Sequence, residues 1–173
     1  MIDRYLTTIE LQKKSMKFSA GHTTIFSATE REPLHGHMYQ VYLALTTWVE
    51  AQPGIGNGMA FDYRYYKERV HQLCRQLNQT FLMPQFSPYL QYGSDADYYY
   101  FTFNHKKIPF LKEDVTILPV VNITVEELSR WFVEELTRDS AELRAHSIEK
   151  IIIKIFSAPG QSANYAWQCP HST

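Results

Sequence analysis

The stretch HGHMYQVYLALTTWV, residues 35–49, decides the reading of this chain. Tyr39, Val41, Leu43 and Leu45 share one parity while Gln40, Tyr42 and Thr46 share the other, the period of a half-buried β-strand. His35 and His37 lie on the apolar-side parity. In residues 11–20 the same alternation sets Met16, Phe18 and Ala20 against Lys13, Ser15 and Lys17, and a strand continued to the end of FSAGH places His22 on the apolar side too. If the two strands pair as a hairpin across residues 23–34, three imidazoles meet on one face. A catalytic zinc site needs such a set: three protein ligands and an open fourth position at which the ion polarises a substrate oxygen or activates water. Glycine at 36 leaves room beside the pair.

Working outward, the turn-rich AQPGIGNG is followed by residues 61–81, where Tyr66, Val70, Leu73, Cys74 and Leu77 recur at helical spacing. Residues 84–119 are punctuated by Pro84, Pro88, Gly93 and Pro109, and YYYFTF predicts a strand of an accessory hairpin, so this segment reads as an insertion into a single domain spanning 1–173. Thr124-Val-Glu-Glu is a capping-box pattern opening a second helix with Val125, Leu128, Phe132 and Leu136 as its stripe. IEKIIIKIF predicts a strand, and a shorter one follows the PGQ turn through Asn164–Trp167.

Composition narrows the function classes. Of 173 residues, 45% are apolar and 20% charged, with a formal net charge of -1, which favours neither disorder nor a nucleic-acid partner. The two cysteines, Cys74 and Cys169, suggest neither a disulfide framework nor a Cys-based zinc knuckle and fit a reducing cytoplasm. No run approaches the roughly 20 apolar residues that span a bilayer, so a soluble protein with no membrane partner is expected. His71, His105, His146 and His171 have no partner at useful spacing and receive no role.

Taken together, FSAGH, HGHMYQVYLAL and GMAFDYRYYKERV resemble the three opening motifs of the 6-pyruvoyl- and 6-carboxytetrahydropterin synthases, and the resemblance covers nearly the whole chain. It implies an α+β two-layer tunnelling fold: a four-stranded antiparallel sheet with two helices on one face. It also implies Zn2+ on His22, His35 and His37, a pterin-like substrate, and a homo-hexamer built as a dimer of trimers. Members of the family usually carry a cysteine shortly before HGH. This chain has Glu32 instead, and Glu32-Pro-Leu-His35-Gly-His37 resembles the E-x-x-HGH subclass, which cleaves the side chain of dihydroneopterin triphosphate to 6-hydroxymethyl-dihydropterin. A carboxylate beside the metal is a general base for retro-aldol cleavage; Glu30 is its competitor for that role.

Two departures bear on activity. The family's Asp-His pair after the first long helix is matched here by Asn78-Gln79, neither a base near neutral pH. Ser157 stands where the family has a glutamate that grips the pterin's guanidine-like edge, and a hydroxyl cannot supply a bidentate carboxylate. Weak pterin binding, tightened by Ser157→Glu, is therefore expected unless Glu126 or Glu127 provides the acid. Thr124 matches a family position close to the pterin. The functional expectation is a zinc-dependent lyase or synthase acting on dihydroneopterin triphosphate or a related pterin. Its alternatives are a diverged zinc-binding paralogue with another heterocyclic ligand or no activity, and an unrelated β-rich zinc hydrolase.

Overall fold

A computed structural model of the chain describes residues 4–51 and 58–170. The elements in order are β1 Arg4–Leu11, β2 Lys17–His22, β3 His35–Glu50, α1 Arg64–Leu77, β4 Thr80–Pro84, β5 Gln91–Ser94, β6 Tyr98–Phe103, β7 Lys106–Leu111, β8 Val115–Leu118, α2 Val125–Thr137, α3 Ser140–Ala145, β9 Ile148–Ala158 and β10 Gln161–Gln168. Most of the turn AQPGIGNG and His171 lie outside the described residues.

The long strand β3 is the spine. Its first half pairs antiparallel with β2 and its second half with β1, both along one edge, while β9 pairs along the other and carries β10 outside it. Because β1 and β2 share a lane, the antiparallel part of the sheet has the four lanes expected of the fold. The alternation read from the sequence is the alternation of burial: Phe18, Ala20, Tyr39, Val41, Leu43 and Leu45 are buried with Ile151, Ile153 and Ile155 of β9, whereas Lys17 and Gln40 are exposed.

Helices α1 and α2 cover the buried face, and the unanticipated α3 adds Leu143 to its core. The predicted stripe of α1, Tyr66, Val70, Leu73, Cys74 and Leu77, is wholly buried, and Leu128, Phe132 and Leu136 of α2 join the same core. Phe18 is the keystone, stacked on Tyr39 at 4.8 Å and near-parallel to Phe132 at 6.1 Å between ring centroids. Fully burying a side chain of this size contributes about 1.5–3 kcal/mol. Thr124 caps α2 as its pattern predicts, its hydroxyl accepting from Glu127 N at 3.3 Å. The reciprocal half of the box is absent, because the Glu127 carboxylate reaches Val121 N at 3.1 Å instead.

The structure adds elements that periodicity did not show. The expected helix over 61–81 spans only Arg64–Leu77, because Asn78 and Gln79 turn the chain back onto β2. Asn78 Oδ1 accepts from Ser19 N at 2.9 Å, and Gln79, at φ 63, donates its N–H to Ser19 O at 2.7 Å. Phe81 then enters β4, which runs parallel to β2 with β8 parallel beyond it, so the sheet order is β10-β9-β3-β2-β4-β8. Gly21 permits that approach: a Cβ there would lie 2.6 Å from Phe81 Cδ2. Within the expected insertion, β5, β6 and β7 form a separate antiparallel sheet over a second core of Ile25, Met83, Leu90, Phe101 and Phe103, but Val115–Leu118 returns to the main sheet as β8.

Candidate functional site

The β2–β3 register assembles the histidines. His22 and His35 are direct cross-strand partners, and His37 follows on the same face opposite Ala20. Ring centroids lie 4.4 Å apart for His22–His35, 5.2 Å for His22–His37 and 4.8 Å for His35–His37, and one nitrogen from each falls within 4.8 Å of the others. The tautomers of two are set by carbonyls, which only accept. His22 Nδ1 is 3.0 Å from Ile123 O and His35 Nδ1 is 2.9 Å from Pro33 O, so each Nδ1 carries the hydrogen and each Nε2 keeps its lone pair for the centre.

Those two lone pairs converge beside the His37 ring. His35 Nε2 lies 3.1 Å from His37 Nε2, and His22 Nε2 is buried with no hydrogen-bond partner. Protonation is disfavoured: burial first, then the neighbouring imidazoles, pushes His22 down to about 4, and burial followed by His35 lowers His37. Neutral imidazoles with an orphaned buried acceptor among them fit a cation with nitrogen ligands, and a tripodal nitrogen set suits zinc. Gly36 keeps the strands close here, since a Cβ would sit 3.1 Å from Ala20 O.

The histidines form one end of a cavity of about 180 Å³ whose walls come from three parts of the chain. The β2–β3 connection brings Thr24 and Glu32, the start of α2 brings Ile123, Thr124, Val125 and Glu126, and the β9–β10 turn brings Ser157 and Gln161, with Tyr39 beside the histidines. Glu32 is held tightly: its N–H donates to Thr24 O at 2.9 Å, its carbonyl accepts from Thr23 Oγ1 at 2.7 Å, and its Oε2 accepts from Thr24 N at 3.2 Å. That oxygen is 3.9 Å from His35 Nε2. Hydrogen bonding from Thr24, its side chain foremost, with the nearby histidines, holds the carboxyl below its ordinary range, so it is ionised at neutral pH. Glu30 is exposed and lines a different concavity with Arg31 and Lys106. Asn122 ties the two loops together, accepting from Ile25 N at 3.1 Å and donating to Ile25 O at 2.8 Å.

All six residues singled out from sequence, His22, Glu32, His35, His37, Thr124 and Ser157, line this one cavity. Ser157 Oγ is buried there without a partner. Of the two acids on α2, Glu126 faces the cavity, whereas Glu127 is engaged by Arg130, with Nε–Oε1 3.0 Å and Nη2–Oε2 2.8 Å. Asn78 and Gln79 do not line it. His71 sits by Glu68, His146 stacks on Phe61, and His105 occupies the β6–β7 turn, all elsewhere. Thr24, Tyr39 and Gln161 were not anticipated. Tyr39 shares the parity of His35 and His37, a signal available in the sequence, but Thr24 sits on a loop that carries no period and Gln161 opens β10 just after a turn.

The family described as 6-pyruvoyl tetrahydropterin synthase matches residues 10–167. A Methanocaldococcus jannaschii protein named as a 6-carboxy-5,6,7,8-tetrahydropterin synthase is 25% identical over 150 residues, 87% of this chain and 89% of the relative. Among solved structures, the 6-pyruvoyl tetrahydropterin synthase of Plasmodium vivax is 25% identical with a TM-score of 0.86, covering 95% of this chain and 99% of that one. A P. vivax variant in which a catalytic glutamate is replaced by cysteine superposes with the same score and coverage at 24% identity.

Proposed function

The chain belongs to the 6-pyruvoyl tetrahydropterin synthase family, a setting of synthase or lyase chemistry on pterins, and from that premise we propose that it is a zinc-dependent lyase cleaving the side chain of dihydroneopterin triphosphate or a close relative, with Glu32 as general base. One observation carries the reading. An ionised carboxylate, fixed by Thr24, stands 3.9 Å from Nε2 of His35, and both residues line the same cavity. The catalytic glutamate of the P. vivax relative supports the same role for an acid.

His22, His35 and His37 would hold the metal, which when bound supplies a Lewis acid for a substrate oxygen. The protein's own groups do the rest. In a retro-aldol cleavage Glu32 takes the proton of the side-chain hydroxyl remote from the ring. That oxygen becomes a carbonyl, the pair from the broken carbon–carbon bond passes to the carbon attached to the ring, and a proton returns there. Thr124 and Glu126, at the start of α2, together with Ser157 and Gln161, line the same cavity and would hold the amino-pyrimidinone edge. Glu126 takes the part of the carboxylate that position 157 lacks. No helix among the described residues is long and apolar enough to cross a membrane.

A second reading is favoured by Ser157 alone: a paralogue keeping the histidines but taking another heterocycle. Turnover separates the two. Purified protein given dihydroneopterin triphosphate should release 6-hydroxymethyl-dihydropterin, and Glu32→Gln should slow release by about 10²–10⁴-fold. No turnover by metal-replete protein would refute the lyase, and undiminished turnover by the glutamine variant would remove Glu32 from its role.

A further inference from the structure

We propose that the groove on the opposite side of the Glu32 segment, formed around Arg31 and Lys106, binds a polyphosphate chain and receives the phosphorylated tail of the substrate. The inference rests on the pterin reading above for its substrate, though not for its chemistry. Among the described residues the cavity at the histidines is lined by no lysine or arginine and by two carboxylates, Glu32 and Glu126, so the metal's charge would be offset and no side-chain cation remains there for an anionic tail. At about 180 Å³ it is also smaller than the roughly 300–1,000 Å³ of pockets that enclose a whole ligand. A triphosphorylated pterin must therefore leave its tail outside.

Residues 29–33 contribute to both concavities. Arg31 is bridged to Ile25, and from adjacent positions Glu32 lines the cavity and Arg31 the groove beyond. The guanidinium is already placed. One Nη donates to Glu32 O at 2.6 Å and its carbon lies 5.7 Å from the Phe103 ring centroid, leaving other N–H groups for a ligand. Across the groove, Asn104 and His105 at φ 46 and 61 make the tight turn between β6 and β7 that presents Lys106 beside Asn104. Among the described residues neither Arg31 nor Lys106 is ion-paired with a carboxylate. Thr29 adds a hydroxyl, and Glu30, on the same rim, leaves the groove a single net positive charge.

Calorimetry on the metal-replete full chain tests this with dihydroneopterin triphosphate, dihydroneopterin and inorganic tripolyphosphate. The unmodified protein should prefer the triphosphate over dihydroneopterin. The double variant Arg31→Gln, Lys106→Gln should lose about tenfold or more for the triphosphate and nothing for dihydroneopterin. Glu30→Gln should tighten the triphosphate alone. Lys106→Gln by itself covers the event that Arg31 is needed to hold Glu32 in place: a tail-specific loss there still supports the groove. Equal losses for both pterins, or no preference for the phosphorylated one, would overturn the proposal. Should neither pterin bind, the lyase reading fails separately; tripolyphosphate binding abolished in the double variant would then uphold the groove as a polyphosphate site, and its absence would end it.

Discussion

Replacing Glu126 with glutamine asks which acid holds the heterocycle, and the structure sets the expected size. Glu126 faces the cavity from the first turn of α2, while Glu127 beside it is committed to Arg130 and Val121 N. A charge-assisted contact of a carboxylate with an amino-pyrimidinone edge contributes about 1.5–3 kcal/mol, so Glu126→Gln should weaken neopterin binding by about tenfold to 150-fold. It should also cost about 0.3–1 kcal/mol of stability through the lost charge at the helix start, which thermal melting reports separately. Ser157→Glu is the companion. With Glu126 in place, a second carboxylate in a cavity of about 180 Å³ faces a like charge. Repulsion at contact range is on the order of 1–4 kcal/mol, so the expected effect is weaker binding. The serine thus predicts a deficit from sequence, and the cavity lining reverses the sign expected of its repair. Calorimetry of neopterin against the three proteins decides the question. Tighter binding in Ser157→Glu, with Glu126→Gln unchanged, would show that position 157 is where the acid belongs and that Glu126 is idle.

Elemental analysis of protein purified without chelators should find about one zinc ion per chain, lost in the double alanine variant of His35 and His37; metal-free protein, or full retention in the variant, would sink the ligand assignment. Light scattering at micromolar concentration should give a trimer-based assembly, most simply a hexamer, because among the described residues β10 and β8 end the main sheet with unpaired edges and β10 is largely exposed; a monomer contradicts it. Arg130, chiefly through its hydrogen bonds, holds Glu127 below the ordinary 4.5, so Glu127→Gln should cost about 0.5–1 kcal/mol at neutral pH. A depressed folded-state pKa stabilises above the unfolded value and loses that stabilisation as pH falls through the folded one. The difference between the two proteins should therefore shrink below about pH 4.5, and a gap that widens in acid would refute the pairing.

What the sequence made legible is what a period can encode. β3 announces itself because sixteen residues alternate against one buried face, and the stripes of α1 and α2 because their apolar residues recur at helical spacing. β4 and β8 escaped notice because TFLMP and VTIL are short and their pairing is parallel and nonlocal, decided by the Asn78-Gln79 turn and the space at Gly21. β1 was hidden for another reason: it is an edge strand with mostly exposed side chains, so burial imposes little pattern on RYLTTIEL.

The site divides along the same line. His35, His37 and His22 could be placed on one face by parity and pairing alone, because a strand hairpin fixes side-chain direction to within one residue of register. Parity is silent about loops. It could not choose between Glu30 and Glu32, two residues apart and hence of the same parity; the choice falls to Thr23 and Thr24, whose hydrogen bonds fix Glu32 against the cavity while Glu30 stays exposed. It could not separate Glu126 from Glu127 either, since both follow the same cap, and Arg130 one turn on removes the second from use. In each case the acid that remains for chemistry is the one whose neighbour, or whose own backbone, is already committed to structure. A charge swap tests that reasoning at the second pair: Arg130→Glu should release Glu127, destabilise α2, and leave neopterin affinity unchanged if Glu126 alone holds the ring.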